Sequence, residues 1–168
     1  MKMKYRFPIV LIALITIASV SLHSSAYAAE TYKVDSAHTY ILFRVKHLGI
    51  GYSYGRIVNP TGTFTFDDSS TTNGTIEIQV QTNDIFTGVE KRDSHLKSPD
   101  FFNVEKHPLI SFKSTSFKKL SENTYEISGD LTLLEKTRPI TTKVYQTGVG
   151  KDPYGKYRRG FETSFTIK

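Results

Sequence analysis

Thr75-Ile76-Glu77-Ile78-Gln79-Val80-Gln81 alternates without a break. A period of two places Ile76, Ile78 and Val80 on one face of a β-strand and the polar residues on the other. A strand with one dry face and one wet face is the habit of antiparallel sheets. The same period recurs on both sides of this stretch. In Tyr40–His47, Ile41, Phe43 and Val45 alternate with Leu42, Arg44 and Lys46. Ile110 and Phe112 alternate with Ser111 and Lys113 in Ile110–Ser116. In Tyr125–Leu133, Tyr125, Ile127, Leu131 and Leu133 oppose Glu126, Ser128, Asp130 and Thr132. In Phe161–Ile167, Phe161, Phe165 and Ile167 oppose Glu162, Ser164 and Thr166. β-Branched and aromatic residues fill these runs, as a pleated surface prefers.

Turn signals separate the runs. Gly49-Ile50-Gly51 ends the first, and Asn59-Pro60-Thr61-Gly62 bends the second. Asp67–Gly74 (DDSSTTNG), Ser121-Glu122-Asn123 and Gly150–Gly155 (GKDPYG) read as hairpin connections. Asn73-Gly74-Thr75 also matches a glycosylation sequon, but the hairpin already accounts for it. The spacing is short, and no strand–helix–strand rhythm interrupts it. The expectation is an all-β chain, an antiparallel up-and-down barrel or a sandwich. One stretch departs: Val89–Ser98 (VEKRDSHLKS) has no alternation and stops at Pro99. It predicts a short helix between strands, with Asp100 capping a second helical turn over Asp100–Asn103.

Composition narrows the function classes. The chain has 168 residues, enough for one domain. It has no cysteine, which excludes disulfides, thiolate metal sites and cysteine nucleophiles. Met1–Ala28 reads as a secretory leader. Lys2, Lys4 and Arg6 precede the apolar run Pro8–Val20, and Ala26-Tyr27-Ala28 supplies the small residues of a cleavage site. The expected mature domain is 29–168, exported once the leader is removed. The leader takes three basic residues with it, so the net charge falls from +6 to +3. That weakens any nucleic-acid reading, and no such partner is expected.

No G-x-S-x-G, H-E-x-x-H or phosphate-binding glycine loop is present. His38, His47, His95 and His107 lack the spacing of a local metal site and read as scattered, satisfied imidazoles. Catalysis is not expected. The basic run Lys156-Tyr157-Arg158-Arg159 could meet a phosphate or an anionic membrane, and a solvated strand start is preferred. The 11 Phe and 10 Tyr need a place to pack. Gly129, Thr142 and Ser114 fall at inward parity beside large aromatics, which reads equally as room inside a barrel or as an ordinary packed core with a few polar holes.

The residues quoted so far resemble the YceI-like family of exported lipid-binding proteins. Val34–Gly49 follows the pattern V-D-x-x-H-[ST]-x-[IL]-x-F-x-V-x-H-L-G. Arg92–Ser114 follows R-D-x-H-L-x-S-x-[DE]-F-F-x-V-E-K-x-P-x-I-x-F-x-S. Gly129–Leu133, Thr137–Thr141 and Gly150–Glu162 match three further motifs, so the resemblance covers nearly all of the mature chain. It implies a lipocalin-like antiparallel β-barrel with a long apolar cavity, one or two short inserted helices, and non-catalytic binding of a polyisoprenoid or other long-chain lipid. No cofactor beyond that bound lipid is implied, and transient membrane contact fits it.

The expected cavity wall is Phe43, Phe64, Phe66, Ile78, Phe101, Phe102, Phe112 and Leu131. Arg92, Asp93 and His95 are the polar candidates near its mouth, with a structural tie from the short helix to a loop preferred over a head-group contact. Two alternatives stand beside the carrier: an exported stress-related scaffold with a packed core that binds a protein, and an enzyme acting on bound lipid. The chain departs from the family at Leu134-Glu135-Lys136, where a His-Gly pair and its turn are usual. It also stops at Lys168, where relatives continue into a final strand. The expectation is a barrel lacking its last strand, open between its first and last strands, with an edge that invites a second copy to pair.

Overall fold

The computed structural model describes residues 29–67, 72 and 74–167. The predicted leader lies outside the described residues, as does most of the Asp67–Gly74 connection. The described residues form ten strands: β1 (Glu30–Lys33), β2 (Ile41–His47), β3 (Gly51–Ile57), β4 (Thr61–Phe66), β5 (Gly74–Gln81), β6 (Ile85–Phe86), β7 (Leu109–Ser121), β8 (Thr124–Leu133), β9 (Lys136–Lys151) and β10 (Tyr157–Thr163). One α-helix, α1 (Glu90–Lys97), falls inside the predicted segment. Asp100–Asn103 forms turns and no second helix. Its amides bond back to the end of α1 (Phe102 N–H to Leu96 O, 2.9 Å), and Asp100 meets His95 instead of capping.

A seven-stranded antiparallel sheet runs in the order β1-β4-β5-β7-β8-β9-β10, and β2-β3-β6 form a second, smaller sheet. The large sheet curls. Phe64 on β4 and Phe161 on β10 are five strands apart in the order, yet their rings meet edge to face at 5.4 Å. The outer strands β1 and β10 share no ladder among the described residues, so the result is a half-barrel.

The alternating residues fill the inside of this curl as two clusters. Phe66, Phe117, Tyr125, Ile127 and Val144 form one, with Tyr32, Phe64, Ile76, Phe112 and Phe161 packed against it. Ile57, Val80 and Ile85 form the other, with Ile41, Phe43, Leu96, Phe102 and Ile110 against it. β5 serves both from one face, through Ile76 and Val80.

Two predicted runs change length for identifiable reasons. β7 extends to Ser121 because a bulge between Ser114 and Ser116 shifts its inner parity from Phe112 to Phe117. β10 ends at Thr163, four residues before the predicted end. There the Thr163 hydroxyl donates to the Lys143 carbonyl (2.8 Å) and the Thr142 hydroxyl to the Ser164 carbonyl (3.3 Å), replacing the ladder. Phe165 and Ile167 lie beyond it, about half exposed.

Two turns depend on backbone conformation. Gly62 sits at φ +145°, and a Cβ there would lie 2.0 Å from the Glu77 carbonyl oxygen. The β8–β9 turn is Leu134-Glu135, at φ 50° and 59°, between the paired residues Leu133 and Lys136. A two-residue hairpin of this kind needs positive φ at both positions. The missing glycine therefore leaves the turn in place, with two side chains in a region that L-residues disfavour.

Candidate functional site

The dry face of the curled sheet carries the site. Gly62, Ile78, Phe112, Leu131 and Arg138 pair in register across β4, β5, β7, β8 and β9. Ile78 lies between Ile76, which joins the first cluster, and Val80, which joins the second. Among the described residues, Ile78 and Leu131 belong to neither cluster, and both stay partly exposed. Within the row, Ile78, Phe112 and Leu131 make an apolar strip at the border of the first packed region, with Ile78 and Leu131 uncovered. Such a strip takes apolar groups by area, at roughly 0.8 kcal/mol per buried methylene.

The room expected from small inward residues is used up by the chain itself. A Cβ at Gly129 would meet the Phe112 ring at 2.4 Å, so that ring already occupies the space. The Ser114 hydroxyl accepts the Ile76 amide at 2.8 Å, where the bulge leaves that amide without a carbonyl. The Thr142 hydroxyl bonds to Thr163 at 2.9 Å. Small residues here admit a neighbouring ring or close a backbone gap, and the strip stays open to solvent instead of forming a sealed tunnel.

The predicted wall residues divide. Ile78, Phe112 and Leu131 come together as the strip. Phe64 and Phe66 are packed in the aromatic cluster, Phe66 edge-on to Phe117 and Tyr125 at 5.9 and 5.4 Å. Phe43 and Phe102 belong to the second cluster. The Phe43 ring covers Gly55, where a Cβ would lie 2.3 Å away. Phe101 does not reach inward. It is 49 % exposed and stands edge-on to His95 at 4.9 Å.

Arg92 and Asp93 do not bond to each other in a simple pair; both grip Thr87. The Thr87 amide and hydroxyl donate to Asp93 Oδ1, the amide at 2.8 Å. Arg92 donates from Nε to the Thr87 hydroxyl (2.8 Å) and from Nη2 to its carbonyl (3.1 Å). Asp93 is buried, and two donors satisfy its charge. This clamp ties α1 to the segment after β6. His95 faces solvent and meets Asp100 at 3.2 Å. No three potential metal ligands cluster among the described residues.

The basic run after the Gly150–Gly155 turn opens β10 and is exposed through Arg158, as the preferred reading expects, but its two arginines also have partners. Arg158 Nη1 donates to Asp35 Oδ2 (2.7 Å) and its Nε to Asp152 Oδ2 (2.8 Å). Asp152 Oδ1 accepts the amides of Tyr154 and Lys156, each at 2.9 Å. Those amides, first of all that of Lys156, hold the Asp152 carboxyl below its ordinary value. A hydrogen bond with His38 does the same for Asp35. Arg159 lies over the Phe66 ring at 4.2 Å and donates to the Tyr32 hydroxyl (3.0 Å) and to Gln146 Oε1 (3.2 Å). Tyr32 in turn donates to Glu30; burial first, then that bond, push its phenol upward. These residues join β1 and its following turn to β10 where no ladder exists. Sequence reasoning missed them because the partners are 123 and 127 residues apart.

Two hollows mark the surface of the described residues. One of about 270 Å³ sits beside α1, against Ser94, Lys97, Asn103 and Val104. The other, about 430 Å³, lies over β4, β5 and β7 among Thr63, Glu77, Gln79, Ser111 and Lys113, and Gly62, Ile78 and Phe112 also line it. A 2.6 Å ion pair joins Lys113 to Glu77 there, and Glu77 holds the ammonium above its ordinary value.

A curled antiparallel sheet with its apolar residues on the inner face and a short helix inserted between strands defines a lipocalin-like half-barrel. Comparison with known proteins makes the class specific. The YceI-like domain matches residues 32–168, and the chain belongs to the YceI-like family. A UPF0312 protein of Pseudomonas aeruginosa is 40% identical over 160 residues, 91% of this chain and 83% of that protein. One from Pectobacterium carotovorum is 41% identical over 160 residues, 94% and 82% of the two chains. Among solved structures, the Campylobacter jejuni YceI protein superposes with a TM-score of 0.62 at 28% identity, over 77% of this chain and 76% of that one. Burkholderia cenocepacia BcnA shares the fold, with a TM-score of 0.61 at 18% identity, over 66% and 70%.

Proposed function

We propose that this chain is a non-catalytic binding protein for a long-chain amphiphile, a polyisoprenoid or fatty lipid, acting in the periplasm after export. The observation that carries the reading is the strip Ile78–Phe112–Leu131. It is apolar and continuous across three strands; Ile78 and Leu131 stay outside both packed clusters, and Phe112 between them rests against the first. A hydrocarbon chain laid across it gains area on every methylene, while ordering the chain offsets part of that gain. Selection by length and cross-section follows from a lining with few polar groups. Arg92 and Asp93, on α1, are held by Thr87, which supports a structural role for them over a catalytic one. Native mass spectrometry of protein purified from its own compartment tests this. A co-purified lipid, reduced when Ile78 and Leu131 are replaced by aspartate, is the expected result. Protein that is folded and lipid-free, with no uptake of an added long-chain lipid, overturns it.

A second reading, a packed scaffold that binds a protein, draws on the filled space at Gly129 and on the aromatic cluster. The same spectra separate the two, because a protein partner in place of lipid favours the scaffold.

A further inference from the structure

We propose that the β2–β3 ribbon docks the protein onto an anionic bilayer surface. The ribbon is paired strand to strand from Ile41–Ile57 to His47–Gly51, but β6 supports only its base, at Arg56 and Ile57. Its root is buried, with Ile41, Phe43 and Ile57 in the second cluster. Everything beyond stands clear of the body. Val45, Tyr52 and Tyr54 are more than half exposed, and the tip residues Leu48 and Ile50 are 79 % and 92 % exposed. A two-stranded ribbon by itself is marginal in water, and two aliphatic side chains at its tip have no partner in the fold.

The charge of the ribbon names the surface that suits it. From Ile41 to Ile57 there are Arg44, Lys46 and Arg56, with His47 beside them, and no Asp or Glu. Cross-strand pairing gathers the fixed cations on one face with the tyrosines: Arg44 opposite Tyr54, Lys46 opposite Tyr52, Arg56 opposite Leu42. Arg44 lies over the Tyr52 ring at 4.7 Å. Aliphatic groups at the tip, tyrosines behind them and cations along the same face reproduce the layering of a lipid surface, with acyl chains, interface and anionic head groups in that order. A strand partner would need edge amides but would not call for this layering. The proposal goes beyond the cargo reading and stands without it, since docking needs no bound lipid.

Vesicle flotation tests it. The probe is large vesicles of phosphatidylcholine with one-quarter phosphatidylglycerol, compared with phosphatidylcholine alone. The protein floats with the anionic vesicles and releases in roughly 0.5 M salt, which shortens the screening length. Leu48→Asp with Ile50→Asp lowers binding about tenfold or more. Arg44→Glu with Lys46→Glu removes the preference for anionic lipid, and Ile50→Trp strengthens binding to both vesicles. Circular dichroism of each variant matches the parent, because the substituted side chains touch little of the body. Absence of flotation, or equal flotation of parent and tip variant, overturns the proposal. So does a dimer in light scattering that the tip substitutions dissociate without vesicles, which would make the ribbon a contact between copies. Lipid uptake is read separately, by mass spectrometry, so failure of one reading leaves the other intact.

Discussion

Two aromatic regions of this chain each hold an arginine against a ring, and their surroundings differ in every other respect. At one end of the curled sheet Arg159 lies over Phe66, among rings from β1, β4, β7, β8 and β10. On the ribbon Arg44 lies over Tyr52, with only β2 and β3 present. The residue types match. The number of strands brought together does not, and that number decides burial. In the curl the arginine is partly buried and bonds to Tyr32 and Gln146, so geometry restricts it. On the ribbon the same contact is wet, and its contribution falls toward the low end for cation–π pairs.

Truncating a ring gives the widest contrast. Phe66→Ala removes a side chain that is 4 % exposed and touches three other rings, and is expected to cost about 3–5 kcal/mol. Tyr54→Ala should fall within about 0.5 kcal/mol of the parent. Urea midpoints at unchanged slope check both. The arginines sharpen the comparison further. Arg159→Lys loses the flat stack and one of the two directed bonds, and should cost about 1–2 kcal/mol; Arg44→Lys should be nearly silent.

The turns of two hairpins offer a smaller, opposite effect. Both place a leucine at positive φ, Leu48 at 52° and Leu134 at 50°. The following residue is Gly49 in the ribbon and Glu135 in the body. Glu135→Gly relieves one strained residue and should raise stability by about 1 kcal/mol, read from the thermal midpoint. Acid pH gives the smallest effect. Asp35 and Asp152 both sit below their ordinary value of 3.8. A carboxylate lowered by folding stabilises above that ordinary value, and the contribution disappears as pH falls through the lower native one. Stability of the body should therefore decline below about pH 4 as the β1–β10 strap lets go, whereas the ribbon has no carboxylate to lose. Chemical shifts of Arg158 Nε against those of Arg44 Nε between neutral and acid pH would show it.

Much of the fold was legible in particular residues. Ile76, Ile78 and Val80 take the inner face that their alternation predicts, and Glu90–Lys97 is helical where the alternation stops and Pro99 follows. The site was legible only in part. Ile78, Phe112 and Leu131 share the dry parity of their strands, which the sequence shows. Their meeting in one row depends on the register of β5, β7 and β8. Phe101 failed because adjacent aromatics after a helix face different ways, and Phe102 took the inward one. The partners of Arg158 and Arg159 were not legible, because a basic run at an exposed strand start shows nothing of a segment more than 120 residues away.

Local chemistry alone settles what depends on neighbours in the chain. Strand faces follow from the two-residue period, the helix from its break, and the turns from Gly, Asn and Pro, because torsional and steric preferences act over a few residues. The interior could not be settled in that way. That Phe112 fills the space at Gly129, that a bulge turns Phe117 inward, and that Arg159 lies in an aromatic end while Arg44 stays in water are all fixed by strands far apart in sequence. Burial is a property of the surface that distant segments close over a side chain, and only the assembled sheet contains it.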